Sequence, residues 1–505
     1  MAVPTTPRGR ARRATPLIGI SLLAAGALSV QANGSVAPLA YFAVGPSVYA
    51  APLDGASAAE RITTISGSLG VRGLVLDPAN GRMFTTRASN PAIEATSLTP
   101  GSAPSALPMV APGLQNPSGI TIDPSTGQLI WATEGSGGGD GNLVRAPFSG
   151  GGTTIATPSI VNRRPWGVAF STATNTIYWT EYQGAPNGTI RWTRLDGSAG
   201  GTVATTGATV NAPAAVALSR TRQRLYWSNT FGISSAATGG GAGADIAVAT
   251  FPRGIAVDDL NAHLYWAEYG PGTTTAIKRS DLDGQNITDV TPSGFTQDAP
   301  WGLSLLFPPA STATPTLAGA ATVGQSLTCT AGAWAADAPE SFAFRAPTTV
   351  SVQWVRDDQT ITGATDATYR VTEAGRYACR AIAANAAGTT IATGDAITVP
   401  VPAIPPADPA VAVGRLTARW TLRGRAVTTT FRVPTGANRA TITATRTGAR
   451  KAIRGRCRLI GTTRARSATC TLGLSPGRWT ATVTASRGNI PVSRATRAIT
   501  VRTAR

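Results

Sequence analysis

The feature that most restricts how this chain can fold is a phrase it repeats: Pro-x-Gly, a short apolar run, a turn, then an aromatic strand ending in a polar residue. It appears as Pro117-Ser-Gly-Ile-Thr-Ile-Asp123 with Leu129-Ile-Trp-Ala-Thr-Glu134, and as Pro165-Trp-Gly-Val-Ala-Phe170 with Ile177-Tyr-Trp-Thr-Glu181. It returns as Pro213-Ala-Ala-Val-Ala-Leu218 with Leu225-Tyr-Trp-Ser-Asn229, then as Pro252-Arg-Gly-Ile-Ala-Val-Asp258 with Leu264-Tyr-Trp-Ala-Glu268. Val71-Arg-Gly-Leu-Val-Leu-Asp77 with Met83-Phe-Thr-Thr-Arg87 is a worn copy. Third strands close on Pro52-Leu-Asp-Gly55, Leu195-Asp-Gly197 and Leu282-Asp-Gly284. Units of about 40–50 residues that cannot bury a face alone form arrays or propellers.

The ends of the repeat set the count. Pro300-Trp-Gly-Leu-Ser-Leu305 is a first strand with no second strand after it, whereas Leu39–Ala43 and Val48–Leu53 are second and third strands with no first. Joined, they complete one blade from the two ends. With five internal copies, the chain is expected to form an all-β, six-bladed propeller over residues 33–309, closed so that no sheet edge of the ring stays open.

The aromatic strands Tyr178-Trp-Thr-Glu181, Tyr226-Trp-Ser-Asn229 and Tyr265-Trp-Ala-Glu268, with the Leu-Asp-Gly turns, resemble the YWTD (class B) repeats of the low-density lipoprotein receptor family. This chain carries Glu or Asn where that family usually has Asp, and it lacks the epidermal-growth-factor-like module that typically follows there. The resemblance implies a six-bladed ring whose top face binds partner proteins.

In a blade the turn before the first strand and the turn after the second share a face. The middle residue of each Pro-x-Gly is therefore expected to ring the channel mouth: Arg72, Ser118, Trp166, Ala214, Arg253 and Trp301. The residues ending the second strands, Arg87, Glu134, Glu181, Asn229 and Glu268, form the next ring out. Arg72, Trp166, Arg253, Trp301, Glu134, Glu181, Asn229 and Glu268 make up the expected ligand-binding set, because Trp and Arg dominate binding energy at interfaces. The competing reading is a lactonase-like hydrolase with a divalent cation at the channel, for which Glu134, Glu181, Asn229, Glu268 and Asp258 offer hard oxygen and amide ligands. His263 is the single histidine and falls in a turn. No P-loop, GxSxG or HExxH motif occurs, so the sequence assigns no catalytic residue and no resident cofactor. Gly135–Gly141 and Gly239–Gly243 open no helix and read as loops.

After Pro308-Pro309 the repeat stops. Residues 313–400 carry Gly324-Gln-Ser-Leu-Thr-Cys329, Val352-Gln-Trp354 and Gly375-Arg-Tyr377-Ala-Cys379. These match the Cys…Trp…Tyr-x-Cys frame of an immunoglobulin-like sandwich, here expected to act as a spacer. A second proline-rich linker, Pro400 to Pro409, leads to residues 410–505, whose Thr/Arg alternation reads as a second small β-sandwich. Four cysteines allow three pairings. Spacing within the proposed domains favours Cys329–Cys379 and Cys457–Cys470.

The formal net charge of +19 is local. Residues 410–505 hold 20 Lys and Arg and no Asp or Glu. Removing these and the four arginines of the N-terminus leaves 20 basic against 25 acidic residues over 33–409. The tail is therefore expected to attract anionic envelope polymers, ahead of nucleic acid. Arg8, Arg10, Arg12 and Arg13 precede the apolar run Leu17–Val30 and the cleavage-type Val30-Gln31-Ala32, so residues 1–32 read as a signal peptide. An uncleaved anchor is the alternative for the same run. Together these features point to an extracellular or envelope-associated binding protein, its ligand a protein or a glycan.

Overall fold

The computed structural model describes residues 37–65, 70–87, 91–109, 115–135, 140–155, 164–269, 275–295, 300–401, 414–462 and 465–502. The expected signal peptide, the middle of the Gly135–Gly141 loop and most of the second linker lie outside these residues. Among them the protein is all-β, with a β-propeller followed by further β-structure. No helix in them is long and apolar enough to cross a membrane.

Each full copy of the repeat folds as a four-stranded antiparallel meander. Pro165–Ser171 pairs with Thr176–Tyr182, which pairs with Gly188–Arg194, which pairs with Gly200–Thr202. The sheets that start at Val71–Asp77, Pro117–Asp123, Val216–Ser219 and Gly254–Asp258 run in the same order. The remaining sheet joins the two ends of the repeat region: Pro300–Leu306 pairs with Leu39–Val44, with Leu39 opposite Leu306 and Val44 opposite Pro300. Ser47–Pro52 and Glu60–Thr64 complete it. The first strands touch one another in turn, from Val71–Asp77 around to Pro300–Leu306 and back.

The repeated residues explain this packing. Trp131, Trp179, Trp227 and Trp266 are each at most 1% exposed and fill the space between sheets, where burial of such side chains contributes most. The Pro-x-Gly glycines let neighbouring first strands approach. A Cβ at Gly73 would lie 2.4 Å from the Ser118 carbonyl, and one at Gly167 would lie 2.5 Å from that of Ala214. The hydroxyl after the tryptophan ties these strands together. Thr180 Oγ1 accepts from Gly167 N at 2.8 Å and donates to the Ala214 carbonyl of the next sheet at 3.0 Å. Thr86 does the same between Gly73 N and the Ser118 carbonyl.

Residues 316–399 form two packed sheets. One holds Thr316–Gly319, Ser326–Thr330 and Thr368–Arg370; the other is centred on Thr349–Arg356 and Gly375–Asn385. The Cys329–Cys379 disulfide links the two sheets. Trp354 is fully buried beside it, and Tyr377 donates through its hydroxyl to the Glu373 carbonyl at 2.9 Å.

Sequence reasoning expects a spacer after the boundary at Pro308-Pro309; the structure adds a segment of this domain that packs into the ring. Between Ala333–Trp334 and Thr349–Arg356 the chain leaves the sandwich and enters the channel of the ring. Ala343–Phe344 pairs in parallel with Pro300–Leu306, on the side opposite Leu39–Val44. The short 3-10 turn Pro339–Ser341 touches four of the first strands, and Ser341 Oγ donates to the Leu218 carbonyl at 2.5 Å. Arg345 pairs with buried Asp258, and its guanidinium lies 4.3 Å from the Phe307 ring centroid. Arg220 pairs with buried Glu340. Burial pushes the carboxyls of Glu340 and Asp337 above their ordinary values. The segment thus closes one end of the channel with aromatic rings, backbone pairing and two ion pairs. Propeller and sandwich accordingly fall in one compact unit that ends at Val401.

The second compact unit starts at Pro402. Its eight strands form one continuous sheet that folds over a core including Val427, Phe431, Ile442, Trp479 and Val483. Ala452–Thr462 serves both halves. Its first residues pair with Arg439–Arg446 and its later ones with Ala465–Gly473. The sequence expectation has Cys457–Cys470 pinning a sandwich. That bond is present, and it joins directly opposite residues of neighbouring strands, 3.9 Å apart at Cα, so that it clasps a hairpin.

Candidate functional site

The end of the channel away from the inserted segment carries the Pro-x-Gly turns. Because each turn precedes a first strand, its middle residue arrives at the mouth. Arg72, Trp166, Arg253 and Trp301 line one cavity there, of about 50 Å³. Below them the wall is apolar, with Leu74, Ile120, Val168, Val216, Ile255 and Leu303 each contributed by a different first strand. Phe342 of the inserted segment belongs to the same lining, so the cavity is blind.

The mouth is held by stacked rings and guanidinium groups. Trp166 and Trp301 lie 5.7 Å apart between centroids, and Tyr182 meets Trp166 edge-on at 5.3 Å. The Arg253 guanidinium stands 4.7 Å from the Trp301 ring and 5.6 Å from that of Trp166. Among the described residues no carboxylate pairs with it. Arg72 pairs with Glu134, which also faces Arg164 at 3.6 Å; Arg164 in turn lies over Tyr182 at 5.5 Å. Burial lowers the pKa of both Arg253 and Arg72, and nearby guanidinium groups add to the shift, Arg72 on Arg253 and Arg164 on Arg72. Arg72 and Arg164 thus share one carboxylate, and Arg253 adds a third cation beside them. Such pairs and cation–π contacts gain strength where water is excluded.

Five of the eight expected residues come together here: Arg72, Trp166, Arg253, Trp301 and Glu134. The other three turn outward within their own sheets. Glu181 is fully buried and accepts from Trp179 Nε1 at 3.2 Å, Thr189 Oγ1 at 3.0 Å and Arg191 Nε at 2.7 Å. Asn229 accepts from Asn211 N at 2.9 Å and donates to Ser234 Oγ at 2.7 Å. Glu268 accepts from Trp266 Nε1 at 2.9 Å. Of the remaining ring positions, Ser118 is buried and bonds to the Pro165 and Trp166 carbonyls, both at 3.1 Å. Ala214 is buried, and Arg87 pairs with Glu94 at 3.0 Å.

The donor set required for a divalent cation therefore does not converge. Asp258 is engaged with Arg345 in the region of the inserted segment, Glu181 with Arg191 and Glu134 with Arg72. No three His, Cys, Asp or Glu among the described residues form a group that could hold a metal. Sequence reasoning missed Arg164, Tyr182 and Phe342. The first two have a signal, since Arg164 directly precedes Pro165 and Tyr182 directly follows Glu181. Phe342 has none, because it reaches the cavity from another domain.

No protein-family model matches this chain, and no curated protein matches it. Among solved structures it is similar to TolB from Acinetobacter baumannii, at 11% identity, over 54% of this chain and 67% of that one, with a TM-score of 0.41. It is also similar to a gluconolactonase from Xanthomonas campestris, at 17% identity, over 53% of this chain and 90% of that one, with a TM-score of 0.36. Neither likeness assigns an activity to this chain.

Proposed function

We propose that this is a secreted or envelope-associated binding protein, built as a six-bladed YWTD-like propeller, an immunoglobulin-like domain and a basic C-terminal domain. The top-face mouth holds the ligand, a protein or a glycan, and residues 410–505 attach the protein to anionic envelope polymers. The observation that carries this reading is the Arg253 guanidinium, set against two tryptophan rings with no carboxylate partner among the described residues. Aromatic rings and arginine of this kind are the side chains that anchor ligands. The two disulfides fit an oxidising compartment. A hydrolase at the same place is less well supported. Every carboxylate put forward for it already has a donor partner, and the channel wall is apolar.

The test is capture of envelope glycan fragments and secreted proteins by wild type and by the variants Trp301→Ala and Trp166→Ala. Both rings are half-buried, so their loss should cost about 1–2 kcal/mol of stability while abolishing capture. Unchanged capture by both variants would overturn the reading. Collapse of the cooperative melt would instead mark the rings as packing elements.

A further inference from the structure

Taking the mouth as the binding site, on which this inference rests, we infer that the group it receives is a carboxylate. Three observations lead there. First, donors outnumber acceptors. Arg72 and Arg164 share Glu134 and Arg253 has no carboxylate partner among the described residues, so the mouth carries an excess of two positive charges. Second, the indole Nε1 of Trp166 is buried with no acceptor among the described residues, beside the ring that Arg253 covers. A buried donor left unpaired is unfavourable, and an arriving acceptor removes that penalty. An anion satisfies the indole and the guanidinium together, whereas a neutral ligand leaves the charge excess unanswered and a cation is repelled.

The third observation is size. The cavity measures about 50 Å³, well below the roughly 150 Å³ that admits a benzene ring. It takes a few heavy atoms, with the rest of the ligand outside on the top face. A carboxylate on a short carbon stem meets both requirements. Its planar oxygens match the guanidinium fork, and the stem faces the apolar wall of Leu74, Val216 and Leu303. The carboxylate can come from an acidic sugar or from the end of a peptide, and the mouth recognises the chemistry the two share.

The experiment uses the full chain labelled with 5-fluorotryptophan, the Trp166 and Trp301 resonances being identified from Trp166→Phe and Trp301→Phe. Acetate, glucuronate, N-acetylglycine, inorganic phosphate and glucose are titrated at constant ionic strength. Saturable shifts of these two lines with acetate, glucuronate or N-acetylglycine are expected. Binding should weaken roughly tenfold or more in Arg253→Gln, the loss of one charge-assisted bond. An unmoved Trp227 line shows that this variant is folded. Whichever of glucuronate and N-acetylglycine saturates at lower concentration identifies the source of the group. Saturation by phosphate alone overturns the carboxylate assignment. A response to glucose equal to that to glucuronate overturns the charge argument while leaving the mouth a binding site. If no probe moves either line, the inference fails on its own terms, and the wider reading still stands or falls by the capture assay.

Discussion

Thr180 shows how a single hydroxyl closes a ring of sheets. It satisfies an amide of its own first strand and a carbonyl of the next, both buried. Thr180→Val keeps the shape and leaves both backbone groups unpaired. The expected cost is about 2–4 kcal/mol, read as an earlier unfolding transition of the first compact unit. Ala132 offers no hydroxyl at the matching position, and there Ser118 reaches across to the Trp166 carbonyl instead. A serine expected at the mouth is thereby taken into the frame, for a reason visible only when neighbouring sheets are compared. The glycines obey the same geometry. A methyl at Gly119 would meet the Trp166 carbonyl at 2.5 Å. Gly119→Ala should therefore cost about 1–3 kcal/mol and also displace Trp166, so that the stability loss comes with altered mouth binding. A variant as stable as wild type would refute the close-approach argument.

At the scale of elements, the strands were readable because aromatic and apolar residues alternate with a period of two and the copies align. The joining of Leu39–Val44 to Pro300–Leu306 followed from the same grammar. What the pattern does not encode is where an end-of-strand carboxylate finds its partner. Glu181 and Glu134 occupy equivalent positions, yet Arg191 on the adjacent strand engages one, and Arg72 of a different sheet engages the other. The inserted segment was also unreadable, since Pro339–Ser341 and Ala343–Phe344 belong to no repeat and their contacts lie in another domain. Its buried acids make a signed prediction. Asp337 and Glu340 have folded-state values above their ordinary ones, mainly through burial. Groups raised in this way contribute stability that is fully present below their ordinary carboxylate values and is lost as pH rises through the folded-state values. The double variant Asp337→Asn/Glu340→Gln removes that dependence. Melting temperatures of wild type minus variant should therefore fall steadily as pH rises from about 4 towards neutrality. A difference that grows with pH would mean that Arg220 and the backbone donors outweigh desolvation.

Across the whole molecule, charge and architecture divide at the same place. The first unit holds every Asp and Glu of the chain except Asp408, and residues 410–505 hold 20 cations and none of their opposites. In the second unit the alternation of a strand puts Arg454, Arg456 and Arg458 in one exposed row, while Gly455, Cys457 and Leu459 face the other way. With no Asp or Glu in residues 410–505, an external polyanion is the natural partner of these guanidinium groups. Such attraction between exposed charges reaches about 10 Å at 0.1 M salt and about 3 Å at 1 M. Full-length protein should therefore stay on an anionic cell-wall polymer at low ionic strength and elute as salt is raised. Because each unit has its own core, a chain ending at Val401 should keep mouth binding and lose retention on the polymer at every salt concentration. Elution at one position regardless of salt, or retention of the shortened chain, would show that the arginine-rich unit is not the attachment.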